Sequence, residues 1–401
     1  MRILIVEPHA DGHHASYVRW LVQAIVERRW SAVIATTAEA TNHPSLRTIV
    51  ADFRDVSWHL IEDIPRYAGW AGRHLRLMRR EFAYWSEFRR IADEASAKNS
   101  IDAIILPYVD YCFFALACLG SPFRRFPWCA ISMRLSVNRE ASKGNAAVPL
   151  KWRAARRLLG GSNLKALFVI NPSVKDVPVK WCSPLMLSKI RYLRDPAEPQ
   201  RMSVSPRASR SALGIEDGDV AVLVFGSIDE RKGIDALLRT LAAYESLRNF
   251  RVILAGRQSE AVQSEIRAGR YAQLQLRNRL IMIDRFLTEA EQAMVFTAAD
   301  VVWVGYWRHV YMSGVLVLAG KAGLPVVGTR DGEIGRLIAD YKLGVSARVD
   351  VPSELEAALR AMLDARERVA MGKRGQAAFA GHSIENFGAD VLGCFHSSSN
   401  G

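Results

Sequence analysis

Residues 220–244 read VAVLVFGSIDERKGIDALLRTLAAY, and no other stretch limits the fold so tightly. Val220 to Phe225 is an apolar run of buried-strand length, and Gly226-Ser227 breaks it. Ile234, Leu237, Leu238 and Leu241 then recur at helical spacing, which predicts a helix from about Gly233. The linking loop holds the adjacent cations Arg231 and Lys232. A strand, a glycine turn and a helix N-terminus carrying two cations form an anion site, because free amides and the helix dipole both favour phosphate. Gly226 and Ser227 would line that site. An ordinary loop whose Arg and Lys are merely solvated accounts for the same residues, and both readings stand at this level.

The same rhythm runs through the whole chain. Residues 2–7 read as a buried strand, followed by a turn with His9, Asp11, Gly12, His13 and His14. Tyr17, Val18, Leu21, Val22 and Ile25 line one helix face, and residues 31–36 form the next strand. Further strands are expected at 101–107, ending at Tyr108-Val109-Asp110, at 128–133, ending at Arg134, and at 167–171 and 189–193. Pro196, Pro199 and Pro206 mark a linker. Beyond it come strands at 220–225, 251–255 (ending at Gly256), 280–283, 301–304 and 326–328, then helices over 353–363 and 366–381. The expectation is an α/β chain of two Rossmann-like, doubly wound domains facing across a cleft, with ligand at the carboxyl ends of the strands. Their bounds are 1–195 and 196–380, followed by a C-terminal segment and frayed tail at 381–401.

Charge is unevenly spread. Residues 1–195 hold 29 Lys+Arg against 17 Asp+Glu, whereas residues 196–401 hold 25 against 24. Basic character therefore belongs to the first half, which fits nucleic acid, an anionic membrane surface or acidic substrates. No RRM, KH, helix-turn-helix or finger signature supports nucleic acid. Residues 73–98 predict a long helix in which Leu75, Met78, Phe82, Trp85, Phe88 and Ala92 are flanked by Arg76, Arg79, Arg80, Arg89 and Arg90. A second basic segment spans Lys151-Trp152-Arg153 to Leu159. Both suit an anionic lipid interface; both also suit helices packed on their own sheet with arginines in water. No apolar run is long enough to span a bilayer, and Met1-Arg2 leads directly into a strand without a signal peptide. Cys112, Cys118, Cys129, Cys182 and Cys394 lack CxxC spacing, so the expectation is reduced thiols in a cytoplasmic protein. Three histidines in the first turn invite a metal, but no second ligand cluster accompanies them and no metal is expected.

A second constellation follows at Ala299 to Gly328. A strand leads through Gly305-Tyr306 and a polar loop to Ser313-Gly314-Val315, which open a helix whose bare amides suit phosphate. With Arg231 and Lys232 these would grip a diphosphate and stabilise the charge of a leaving group without a metal.

GSIDERKGIDALL and ADVVWVGY…SGVLVLAGKAGLPVVGT resemble the family-4 retaining glycosyltransferases of the GT-B fold, over most of residues 210–380. The first half is similar more loosely, through its opening strand-glycine-helix. The resemblance implies a nucleotide-diphospho-sugar as co-substrate, no cofactor and a saccharide or lipid-linked acceptor. It places the donor diphosphate on Arg231, Lys232, Ser313, Gly314 and Val315, and donor phosphate and acceptor against Gly12. The family's paired glutamates fall on Val310 and Leu318, so both are absent, as they tend to be in a divergent branch. Its sugar-contacting histidine is replaced by Arg134, which suits an acidic sugar or a phosphate.

The expected activity is retaining transfer to a hydroxyl acceptor in bacterial surface-polysaccharide or glycolipid assembly, in the cytoplasm or peripherally on the inner membrane face. Retention by front-face attack lets the leaving phosphate take the acceptor proton; a protein base, where one acts, would be Asp110 or Asp11, each equally a turn or cap residue. The rival readings are a non-catalytic nucleotide-binding scaffold, favoured by the missing glutamates, and a sugar-nucleotide epimerase of the same architecture.

Overall fold

The computed structural model describes residues 1–11, 14–64, 73–135, 147–161, 163–176, 183–197 and 205–395. They fall into two units, Met1–Arg194 with Ile384–Gly401, and Asp195–Ser383.

The first unit is a parallel sheet of seven strands: β1 (Arg2–Val6), β2 (Ser31–Thr37), β3 (Val56–Ile61), β4 (Ala103–Leu106), β5 (Trp128–Ser132), β6 (Leu164–Val169) and β7 (Ile190–Tyr192). They lie in the order β3-β2-β1-β4-β5-β6-β7. Crossovers run through α1 (His14–Glu27), α2 (Arg73–Lys98), α3 (Phe113–Leu119) and α4 (Ala147–Leu159). Alternation along β1 sends Leu4 and Val6 into one apolar layer and Ile3 and Ile5 into the other, so helices must cover both faces. That double covering is what makes central strands read as unbroken apolar runs.

The second unit repeats the plan with β8 (Val220–Phe225), β9 (Phe250–Ala255), β10 (Leu280–Ile283), β11 (Val301–Val304), β12 (Val326–Thr329) and β13 (Gly344–Ala347), in the order β10-β9-β8-β11-β12-β13. Its principal helices are α5 (Ile234–Ala243), α6 (Gly314–Lys321), α7 (Gly332–Tyr341), α8 (Pro352–Ala361) and α9 (Ala365–Phe379). In each sheet the strand order reverses once, at β1/β4 and at β8/β11. A crevice opens there beyond the strand ends, because successive crossovers leave in opposite directions.

Among the elements that go beyond the sequence expectation, two edge strands and a C-terminal helix matter most. β3 and β13 are edge strands, half exposed and without a continuous apolar run. The C-terminal segment expected at 381–401 includes a helix, α10 (Ile384–Gly393), which belongs to the first unit. Phe387, fully buried, meets Tyr17 and Trp20 of α1 edge-on, at 5.3 and 6.0 Å between ring centres. A Cβ on Gly388 would come 2.3 Å from Cβ of Ala24, so glycine sets the helix spacing. Phe387→Ala should therefore cost about 3–5 kcal/mol in urea unfolding; an unchanged midpoint would remove α10 from the core.

Candidate functional site

In the second unit the chain leaves β8 through Gly226, at φ 91°. The loop after β9 approaches so closely that a Cβ on Gly256 would lie 1.9 Å from the Gly226 carbonyl oxygen. A short 3₁₀ turn, Glu230–Lys232, then presents both cations before α5. Gly233, at φ 65°, lies against the strand-end loop of β11, where a Cβ would meet the Gly305 carbonyl at 2.2 Å. The two loops flanking the order reversal are thus in backbone contact.

Lys232 is buried at this junction, 5% exposed. Its Nζ donates to the Phe225 carbonyl at 2.8 Å and to the Tyr306 hydroxyl at 2.8 Å, while Trp303 Nε1 donates to the Lys232 carbonyl at 2.6 Å. The Ser313 hydroxyl donates to the same Tyr306 oxygen at 3.2 Å. Lys232 is thereby linked to the start of α6, whose first amides have no partner within the helix. An ammonium has three donors, and among the described residues Lys232 has two acceptors. Arg231 is half exposed, its guanidinium 3.5 Å from the Asp229 carboxylate. His309 Nε2 lies 3.3 Å from the Met312 carbonyl. Burial holds its pKa below the usual histidine value, with Arg231 and Lys232 pushing the same way against the Met312 hydrogen bond. The arrangement suits an anion.

In the first unit Asp110 accepts from the Ser132 hydroxyl at 2.9 Å and the Met133 amide at 2.8 Å, closing the turn after β5. Arg134 and Asp11 are exposed, near enough to His14 to act on its charge in opposite senses. The better-formed cluster lies at the β1/β4 reversal. Glu7, fully buried, accepts from His14 Nδ1 at 2.9 Å, from the His9 amide at 3.1 Å and from the Tyr111 hydroxyl at 3.2 Å. His9 Nε2 meets the Tyr84 hydroxyl at 2.7 Å. Burial opposes protonation of His14, but its hydrogen bond to Glu7 and the charges of Glu7 and Asp11 outweigh burial and Arg134, and its pKa is raised.

The structure brings Gly226, Arg231, Lys232, Gly256, Ser313, Gly314 and Val315 to one end of the second sheet, with Ser227 exposed in the first loop. Gly12 and His13 lie outside the described residues, as do Cys182 and the side chains of Lys151 and Trp152. Among the described residues no group of three or more His, Cys, Asp or Glu could hold a metal ion. Sequence reasoning missed Tyr306, Glu7 and His14 as partners. Their only signal was position, a polar residue directly beyond a central strand. A raised His14 value stabilises the fold fully below the unfolded value of 6.5, and that contribution is lost as pH rises through the folded value. The thermal midpoints of the parent and His14→Gln should accordingly differ most near about pH 5.5 and converge above the raised value; a gap that widens with pH would contradict the Glu7–His14 pairing.

Residues 219–365 match the family described as glycosyl transferases group 1. A D-inositol 3-phosphate glycosyltransferase of Segniliparus rotundus is 27% identical over 222 residues, 51% of this chain and 49% of that protein. The chain thus spans about half the length of that curated relative. WaaG, a glycosyltransferase involved in lipopolysaccharide biosynthesis, superposes with a TM-score of 0.65 at 15% identity, covering 99% of this chain and 100% of WaaG. Anabaena Alr3699/HepE in complex with UDP-glucose superposes with a TM-score of 0.68 at 13% identity, covering 99% and 100%. Both structural likenesses concern fold, two Rossmann-like α/β units of the GT-B glycosyltransferase type. The family match falls wholly within the second unit, and it is this part of the chain that is similar to the group 1 glycosyl transferases.

Proposed function

We propose that the chain is a glycosyltransferase that moves a sugar from a nucleotide-diphospho-sugar to a hydroxyl acceptor. The observation that carries this is Lys232, a buried ammonium that has two neutral acceptors for its three donors among the described residues. Burying a cation is costly unless an anion balances it, and a diphosphate does so here. Arg231 and the amides at Gly314 and Val315 extend the clamp, so the charge developing on the leaving group meets cations and helix amides. On this reading the protein itself supplies the positive charge, without a metal. UDP is the favoured carrier, since a neighbour of the same fold was solved with UDP-glucose. Retention of configuration follows from the family resemblance.

The relative's name includes a phosphorylated cyclitol, and a structural neighbour is titled for lipopolysaccharide biosynthesis. These support a polar acceptor in surface-polysaccharide or glycolipid assembly. A peripheral place on the cytoplasmic membrane face rests on α2, where Leu77, Met78 and Phe82 are exposed among Arg76, Arg79 and Arg80. On α4 the apolar side is instead spent internally: Ala155, Leu158 and Leu159 are buried, while Arg153, Arg156 and Arg157 are exposed. No described helix is long and apolar enough to cross a membrane.

The catalytically inert reading is favoured by one observation, hydrophobic Val310 and Leu318 where the family carries glutamates. A thermal-shift screen of UDP, GDP, ADP and dTDP with their sugars separates the readings. A nucleotide at 100 times its dissociation constant should stabilise the fold by about 2.7 kcal/mol. Lys232→Met, which keeps the volume, should abolish that shift and lower transfer by about 10²–10³-fold. A full shift in the variant would remove the phosphate clamp. Binding without turnover favours the scaffold; an altered nucleotide sugar released without acceptor favours an epimerase. Anionic vesicles should bind the parent at low salt and release it at high salt, and Phe82→Glu should bind less; salt-independent or absent binding would argue for an acceptor in solution.

A further inference from the structure

The loop that leaves β11 in the second unit carries a polar ring that the diphosphate clamp does not use. From Gly305 to Met312 it reads GYWRHVYM, without Asp or Glu. Tyr306 already serves the clamp, since the Lys232 ammonium and the Ser313 hydroxyl both donate to its oxygen. His309 stands edge-on to that tyrosine, with 5.3 Å between ring centres, and edge-on to Tyr311 at 5.9 Å. The imidazole is thus one ring away from the point where lysine and serine meet.

Two backbone contacts fix the loop in this place. A Cβ on Gly332, at φ 68°, would come 2.6 Å from Cα of Val310 and 2.9 Å from the His309 carbonyl oxygen, so glycine lets the start of α7 approach this closely. The Glu333 amide donates to the Val310 carbonyl at 3.3 Å. The bond between His309 Nε2 and the Met312 carbonyl, at 3.3 Å, then sets the tautomer. A carbonyl only accepts, so Nε2 carries the hydrogen, and in the neutral ring Nδ1 keeps its lone pair.

That lone pair is out of character with its surroundings. Lys232, Arg231 and the first amides of α6 are all donors, as an anion requires. A phosphate oxygen only accepts and has nothing to give Nδ1, whereas a hydroxyl has. We propose that His309 is a specificity-determining residue, whose Nδ1 accepts a hydrogen bond from a hydroxyl of the donor sugar and so selects sugars bearing that hydroxyl over their deoxy forms. The inference rests on the transferase reading above. The sugar is bonded directly to the diphosphate, which places its ring beside the clamp. An analogue lacking the hydroxyl leaves the acceptor unpaired, and that is how a polar site discriminates.

The charged groups around the imidazole keep it in the accepting form. Burial opposes protonation, Arg231 and Lys232 add to that, and the Met312 bond and Asp229 act against it. Tyr306 and Tyr311 face the ring, and on α7 Glu333 pairs with Arg336. The folded value lies below 6.5, so the ring gains its proton, and loses the acceptor, only as pH falls below that.

The experiment compares UDP with UDP-glucose on the full chain by titration calorimetry. His309→Phe, which keeps an aromatic ring, should bind UDP as the parent does and bind UDP-glucose about 3- to 10-fold more weakly. His309→Asn, whose Oδ1 stands where Nδ1 stood, should recover part of the loss. Among deoxyfluoro analogues of the sugar, which cannot donate at the altered position, one should bind the parent more weakly than UDP-glucose and bind His309→Phe equally well. The parent's preference for UDP-glucose over UDP should be level above pH 6.5 and shrink on acidification through the His309 titration. A preference that grows on acidification marks an imidazolium on phosphate and overturns the proposal. So does a His309→Phe that loses UDP and UDP-glucose alike, or neither. A parent that binds UDP equally with and without glucose sinks this subsite alone, whereas one that binds neither sinks the donor reading itself.

Discussion

One ammonium organises the second unit's functional end. Lys232 stands at the only place where that sheet reverses its order, and it is bonded to both sides of the reversal. The Phe225 carbonyl closes β8, and Tyr306 follows β11. Trp303, fully buried in β11, returns a bond to the Lys232 backbone, and the Trp307 amide donates to the Arg231 carbonyl at 2.7 Å. With Gly233 pressed on Gly305, the two loops behave as one piece. The physical constraint is severe, since neutral dipoles compensate a buried charge only in part. The strain of holding it there is most readily relieved by an anion, which is why a single side chain says more about chemistry than the loop's overall composition.

Much of this was legible in residues 220–244 and 299–328, because both are short, strongly patterned and nearly complete as local units. Strand, turn and helix follow from spacing, and the cations from their place before a helix. The edge strands β3 and β13 were not legible: a strand with one neighbour keeps polar residues along it, and Ser57, His59 and Ser346 interrupt any apolar run. The helix of residues 384–393 was passed over, although Phe387, Val391 and Leu392 keep helical spacing, because the Ser and Asn beyond it set the tone of the segment.

What no spacing rule reveals is which polar groups meet. Lys232 and Tyr306 are 74 positions apart, and Glu7 and Tyr111 are 104 apart. Asp110 carried the signs of a catalytic carboxylate, at a strand end in the right half of the chain, yet it bonds a hydroxyl and an amide one strand over. Glu7 looked like the last residue of a strand. Its buried carboxylate is notable because it has three donors around it: the His9 amide and His14 from its own turn and helix, and Tyr111, which the parallel pairing of β1 with β4 brings alongside. Candidate acids and bases are therefore read from sequence as positions, and their roles from the partners that the sheet order assigns.

The charge distribution makes the same point from the opposite direction. The first half's excess of Lys and Arg suggested a site greedy for anions, yet Arg76, Arg79, Arg80, Arg153, Arg156 and Arg157 are all exposed on helices. The cluster at the first sheet's reversal is instead built on Glu7, with Asp11 beside it. The nearly neutral second half, conversely, buries the cation that matters. Exposed charges are screened over about 8–10 Å at ordinary ionic strength, while a buried charge keeps its field and its need for a partner. Net charge thus describes what a surface attracts from solution, and burial decides what a site can bind or deprotonate. In this chain a basic first half buries a carboxylate at its strand reversal, and a nearly neutral second half buries an ammonium at its own.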